Sequence, residues 1–304
     1  MRKSYQIQDG TVVPLEDGIG PILVFINPDK DEQGYLTSNF SLDEHTLNSA
    51  LDPDELSRLE FEENHCALIF KRPKNYSSEE QFLFKVSSIG VFIFKERLII
   101  LISDDVPLFD GRNSYKVKTI LDVALKIFYR SITHFLQHLR VINMISDEIE
   151  QKVNTSMENK YLIHMFTLEK SLVYYLNAIH FNAGVLEKLK NNAARIGFSQ
   201  ENIEFLEDIL IENNQCFKQT EIYSNIISSM MDARASIVNN NLNNLMKTLN
   251  VLTIGIMVPT FVVSAFSMNV AIPFQKSEFA FLIVMGLSTM ALLGFLIFFR
   301  YKKW

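Results

Sequence analysis

The sequence predicts an acidic α+β N-terminal part, long helices after it, and two C-terminal helices that cross a membrane. Three observations carry this. Short β-rich runs crowd the chain before residue 104, helical periodicity replaces them from about Tyr115, and two uncharged apolar stretches close the chain. With 304 residues, 48% apolar and 21% charged, and a mean hydropathy of +0.09, the chain is long and apolar enough to bury a sizeable core.

The elements follow in order. PILVFIN (21–27), HCALIFKRP (65–73), QFLFKVSSIGVFIF (81–94) and RLIILIS (97–103) read as strands, and Lys95 and Glu96 separate the last two like a hairpin. Residues 42–63 are charged and leucine-spaced, which predicts two short helices divided at Pro53. DVPLFDGRNS (105–114) is a turn-rich break. Beyond it, apolar residues recur at three-and-four spacing in two stretches separated by NTSMENK, which predicts a helical hairpin. A third helix begins after Gly197 with Ser199 as its N-cap. Asn202 stands where a capping box would have Glu or Gln, so the box is expected to be incomplete.

Between Ser199 and Lys247 there is no Gly or Pro, so this helix is expected to run on as a stalk to Phe266. At 1.5 Å per residue it would be about 100 Å long. No residue between Lys247 and Lys276 is formally charged, and the 21 residues between Glu278 and Arg300 are uncharged too. About 20 such residues cross a bilayer as a helix. The expected division is therefore 1–114 (cytoplasmic α+β domain), 115–198 (helical hairpin), 199–266 (stalk and first span), 267–278 (external loop), 279–299 (second span) and 300–304 (basic tail). MRKSYQIQDG has no apolar signal-peptide core. With RYKKW at the other end, both termini are expected on the cytoplasmic side of the cell (inner) membrane.

Charge narrows the function. From Asn243 onward Lys247, Lys276, Arg300, Lys302 and Lys303 face Glu278 alone, a net of +4. The remaining 24 basic and 34 acidic residues give the first 242 positions a net of −10. Such a body repels nucleic acid and concentrates cations. Cys66 and Cys216 stand far apart without a C-x-x-C, which leaves no cysteine zinc site or disulfide framework. No Walker motif or nucleophile–base pairing is present, so the chain reads as neither a pump nor an enzyme. His134 and His138 could share a helix face, but no third ligand is evident and they read as structural.

On the first span, Asn243, Met246, Asn250, Thr253, Met257, Thr260 and Ser264 fall three or four apart and share one face. Polar atoms are costly against lipid, so this stripe meets either a packed helix or a water-filled pore. One helix cannot enclose a pore, so the second reading requires a homo-oligomer.

The order of features, together with Phe266-Ser267-Met268-Asn269 at the outer end of the first span, resembles the CorA-type magnesium transporter family, whose signature there is Gly-Met-Asn. Ser267 stands in the glycine's place, and the family's proline-x-threonine is compressed to Pro259-Thr260. The resemblance implies a funnel-shaped homopentamer in the lipid membrane that passes hydrated Mg²⁺. It implies a ring of Asn269 at the mouth, further polar contacts at Thr260, Asn250 and Asn243, and apolar constrictions at Met257, Leu249 and Met246. It also implies divalent ions, most simply Mg²⁺ itself, bound between cytoplasmic domains as a gate. Asp208, Asp232 and Glu79 or Glu80 are the acidic residues in the corresponding places. No organic cofactor is implied. A zinc or cobalt transporter of the same build, and a non-conducting metal sensor or scaffold, remain as other readings.

Overall fold

The computed structural model describes residues 1–16, 18–76, 82–109, 116–155, 159–270, 273 and 277–302. The chain forms two compact units, Met1–Met231 and Asp232–Trp304. Its elements are β1 (Arg2–Gln8), β2 (Thr11–Pro14), β3 (Ile22–Ile26), α1 (Lys30–Phe40), α2 (Glu44–Leu51), β4 (Arg58–Phe61), β5 (His65–Pro73), β6 (Val86–Phe94), β7 (Leu98–Ile102), α3 (Ile120–Thr155), α4 (Asn159–Asn191), α5 (Ala193–Ile196), α6 (Gln200–Phe266) and α7 (Ala280–Tyr301).

In the first unit a seven-stranded sheet runs β2-β1-β3-β7-β6-β5-β4. Only β3 and β7 pair in parallel, and every other neighbour is antiparallel. Alternate residues of the central strands enter two different cores. Ile22, Val24, Leu68, Phe70, Val91 and Ile100 belong to one core, shared with α3, α4 and α6. Leu23, Phe25, Ile69, Phe92, Ile99 and Leu101 belong to the other, beneath α1 and α2. Burial on both faces is the physical reason that ILVFI and LIILI are unbroken apolar runs rather than alternating ones. The Lys95–Glu96 hairpin is present, closed by Phe94 N–H donating to the Arg97 carbonyl at 2.9 Å.

Two expectations change, and three elements are new. The second short helix after Pro53 is instead strand β4, paired with β5 from Arg58↔Ile69 to Phe61↔Cys66. Its RLEF sequence alternates polar and apolar residues, and the free edge of β5 selects the strand. Strands β1 and β2 and helix α1 had no reading in the sequence. Helix α1 carries a full capping box, Asp29 accepting from Glu32 N and Glu32 accepting from Asp29 N, within a segment too polar for its periodicity to stand out. The box before α6 is complete, because Asn202 takes the reciprocal role. Its Oδ1 accepts Ser199 N–H at 3.1 Å while Ser199 Oγ accepts Asn202 N–H at 3.2 Å.

Helix α6 has 67 residues, roughly 100 Å at 1.5 Å each. Asn202, Leu206, Ile209, Asn213, Cys216, Thr220 and Ile227 are its buried positions, a seam at three-and-four spacing within the first unit. Burial has driven the Cys66 and Cys216 thiols up to about 12, so both are inert packing groups.

Candidate functional site

The second unit contains the end of α6 and α7. Both helices are long and apolar enough to cross a membrane, and within them only a small share of the most apolar window is buried by the chain itself. On α6 beyond Asn250 the partly covered positions are Val251, Gly255, Val258, Pro259, Val262, Ala265 and Phe266. On α7 they are Ala280, Ile283, Val284, Ala291, Leu292, Phe295 and Phe299, with Ser288 buried among them. Each set repeats at three-and-four spacing, so each helix turns one face to its neighbour. Ser288, 6% exposed, donates its hydroxyl to the Pro259 carbonyl at 3.4 Å and ties the two faces together. Pro259 has no N–H to give Gly255, and a partner helix is one of the settings that tolerate such a break inside a span.

The polar stripe lies elsewhere on α6. Taking roughly 100° per residue, its centre stands about 150° around the helix axis from the centre of the face toward α7. Asn243, Met246, Leu249, Asn250, Thr253, Met257 and Thr260 are all exposed. The chain's own second span therefore leaves the stripe open. Thr253 Oγ1 donates to the Leu249 carbonyl at 2.8 Å, and Thr260 Oγ1 donates to the Ile256 carbonyl at 2.7 Å. With its proton directed back into the helix, each hydroxyl presents only acceptor lone pairs outward. Water molecules bound to a cation are donors, so this face has matching polarity.

At the end of α6, Ser267, Met268 and Asn269 are exposed and follow the last helical turn. Ser267 N–H and Oγ both donate to the Ser264 carbonyl, at 3.2 and 2.9 Å. Its φ is not positive, so a side chain is accommodated at this position without left-handed strain. The sequence alone could not decide this, because a Gly-to-Ser exchange is harmless or costly according to φ.

The acidic residues are less assembled. Asp208 and Asp232 are both exposed on α6. Glu79 and Glu80 lie outside the described residues. Among the described residues no group of three or more His, Cys, Asp or Glu is placed to hold a metal ion. His134 and His138 are in ring contact at 4.4 Å, and His138 Nδ1 lies 2.6 Å from the Tyr175 hydroxyl. Burial pushes both imidazoles down to about 4, which fits packed neutral histidines.

The sequence anticipated the stripe, but it gave no means of finding Ser288 or the orientation of α7. Ser288 is one hydroxyl among 22 mostly apolar residues, and only its place opposite Pro259 gives it meaning.

Residues 22–303 match the family described as CorA-like Mg2+ transporter protein. A cobalt/magnesium transport protein CorA from Methanocaldococcus jannaschii is 27% identical over 289 residues, covering 90% of this chain and 88% of that protein. One of the same description from Thermotoga maritima is 22% identical, covering 87% of this chain and 77% of that protein. The complete structure of the CorA magnesium transporter from Methanocaldococcus jannaschii superimposes with a TM-score of 0.84 at 22% identity, covering 98% of this chain and 96% of that one.

Proposed function

The chain belongs to the CorA-like Mg²⁺ transporter family, and from that premise we propose that it carries hydrated divalent cations, Mg²⁺ first among them, passively across the cell membrane. The observation that supports this most is the open polar stripe on the side of α6 away from α7. Polar groups exposed on a membrane helix are costly against lipid. Repeating α6 about an axis in a homopentamer removes that cost and encloses a pore, with α7 facing outward to lipid.

In this arrangement Asn269 carboxamides ring the mouth and accept hydrogen bonds from the ion's water shell. Mg²⁺ sheds water reluctantly and prefers an octahedron of oxygens, so a filter that reads the hydrated ion avoids the cost of stripping it. Thr260, Thr253, Asn250 and Asn243 repeat the contact inward, with Ser267 and Met268 framing the mouth. Met257, Leu249 and Met246 form apolar rings that close by dewetting. The membrane potential drives entry with about 2.3 kcal/mol per charge per 100 mV, twice that for a divalent ion. In this reading both termini lie in the cytoplasm and residues 267–278 lie outside. Divalent ions held between subunits near Asp208, Asp232 and Glu79 or Glu80 would offset part of the −10 body and keep the pore shut.

Mg²⁺ entry into liposomes holding the purified protein, read by an encapsulated indicator, is the direct test. Asn269→Ala is expected to abolish entry while leaving the oligomer intact. Entry at the wild-type rate through a well-assembled mutant would sink the assignment. The relatives' description as cobalt/magnesium transport proteins favours Co²⁺ as a second cargo, and competition in the same assay ranks the two ions. If an intact oligomer binds metal and conducts none, the protein is a sensor.

A further inference from the structure

A cavity of 360 Å³ opens in the first unit between the segment that joins α2 to β4, the end of β5, the start of β6, and α4. Its apolar lining comes from Leu56, Leu83, Val86, Tyr174, Ala178 and Phe181, and its charged lining carries both signs, from Asp54, Glu55, Lys71, Lys85 and Lys170. We propose that this cavity binds a small apolar amino acid, with Asp54 meeting its ammonium and Lys170 and Lys71 meeting its carboxylate.

Two of the five charged groups are already engaged. Glu55 is ion-paired with Arg58, and Lys85 has a partner of its own. The other three are answered incompletely. Asp54 is exposed, and its carboxylate accepts no hydrogen bond and forms no ion pair among the described residues. Lys170, also exposed, meets only the Tyr174 ring among the described residues, 5.7 Å from its centroid. Lys71 is 5% exposed, and its Nζ donates to the Pro53 carbonyl and to Ser88 Oγ, at 2.7 Å each. Its third N–H has no partner among the described residues. Burial pulls this amine down to about 8, while Asp52, Asp54 and Glu55 pull it partly back, so it is still an ammonium at neutral pH. A solitary exposed charge says little, since water answers it. Here an acceptor and two donors stand around a common concave space without pairing to one another, and a few polar groups on a mostly apolar wall are what fixes a ligand's orientation.

The mixture of signs selects the ligand. A simple carboxylic acid would bring a second negative charge to Asp54, and a simple amine would bring a third positive charge to the lysines. A molecule with both charges on one carbon answers both and leaves the net charge of the cavity unchanged. Leu56 and Tyr174 are 48% and 45% exposed, so the apolar lining gains from covering by an apolar side chain. The volume lies near the lower end of the range of about 300 to 1,000 Å³ for pockets that hold organic ligands. A single amino acid fits it, and a nucleotide does not. None of the lining residues sits on α6, so the inference is independent of the transport reading.

The test is calorimetric titration of the full-length protein with L-leucine, 4-methylpentanoate and 3-methylbutylamine as separate titrants, the last two being leucine without its ammonium and leucine without its carboxylate. Saturable binding of one leucine per chain is expected, with each half-molecule at least about tenfold weaker, since each forfeits a charged contact. Asp54→Asn should weaken leucine at least about tenfold and should not weaken 4-methylpentanoate. Lys170→Gln should weaken leucine and 4-methylpentanoate alike. Both positions are exposed and lie on separate elements, so one variant decides the matter if the other does not fold. Absence of saturable leucine binding by the folded wild type, a half-molecule that binds as tightly as leucine, or leucine binding untouched in both variants overturns the proposal.

Discussion

Asn182 offers the sharpest test of how the first unit is held together. Strand β4 covers β5 only as far as Ile69, so the backbone of Lys71 on that side has no strand beside it. The carboxamide of Asn182, on α4, takes the missing strand's place. Its Oδ1 accepts Lys71 N–H at 2.8 Å and its Nδ2 donates to the Lys71 carbonyl at 2.8 Å, while Oδ1 also accepts the Ser57 hydroxyl at 2.8 Å. Asn182 is 0% exposed. Asn182→Ala removes three hydrogen bonds worth about 1 kcal/mol each, and it leaves a buried N–H and C=O unpaired at about 1–3 kcal/mol apiece unless water enters. A loss of at least about 3 kcal/mol is expected, and 1.4 kcal/mol is a factor of ten, so protection of the Lys71 amide should fall by about a hundredfold. Hydrogen exchange of peptides covering β5, measured on the full-length protein, reads this directly. Protection within about threefold of wild type would refute the idea that a side chain completes the ladder.

Further outcomes follow from single residues. A Cβ added at Gly90 would lie 2.5 Å from Ala50 Cβ and 3.2 Å from the Phe92 ring, so Gly90→Ala should push α2 off the sheet and cost about 1–3 kcal/mol, seen as a lower melting temperature. Ser267→Gly should leave assembly and Mg²⁺ flux close to wild type, because Ser267 has no positive φ and its Oγ bond to Ser264 is worth about 1 kcal/mol at most; loss of flux would mean that the serine hydroxyl itself serves the pore. His134 and His138 have folded values near 4 against an ordinary 6.5. The unfolded chain therefore binds more protons between those limits, and stability present above pH 6.5 is lost as pH falls toward 4. His134→Gln should flatten the fall of melting temperature with acid, and an unchanged slope would remove this histidine from the account.

Much of the architecture could be read in the sequence, because it rests on local rules. Uncharged runs of span length mark α7 and the end of α6, the absence of Gly and Pro between Ser199 and Lys247 lets one helix run on toward the first span, and the polar stripe follows from helical spacing alone. The β6–β7 hairpin and the apolar runs of β3 and β7 were equally local. Elements lacking such signals were missed. Strand β4 is four residues of mixed character that became a strand only because β5 had a free edge, and α1 has little apolar periodicity to betray it.

What the tertiary structure decided is where those patterns meet. Spacing placed the stripe on one face of α6, but only packing could show that α7 occupies nearly the opposite face and that Ser288 is bound to Pro259. Likewise only the backbone conformation shows that Ser267 needs no glycine, and only the fold brings Asp54 and Lys170, 116 positions apart, to one cavity. Hydrophobic period and helix continuity are properties of neighbouring residues and can be read along the chain. Which faces touch, and which are left for water, an ion or another subunit, depends on residues far apart in sequence, and folding alone brings them together.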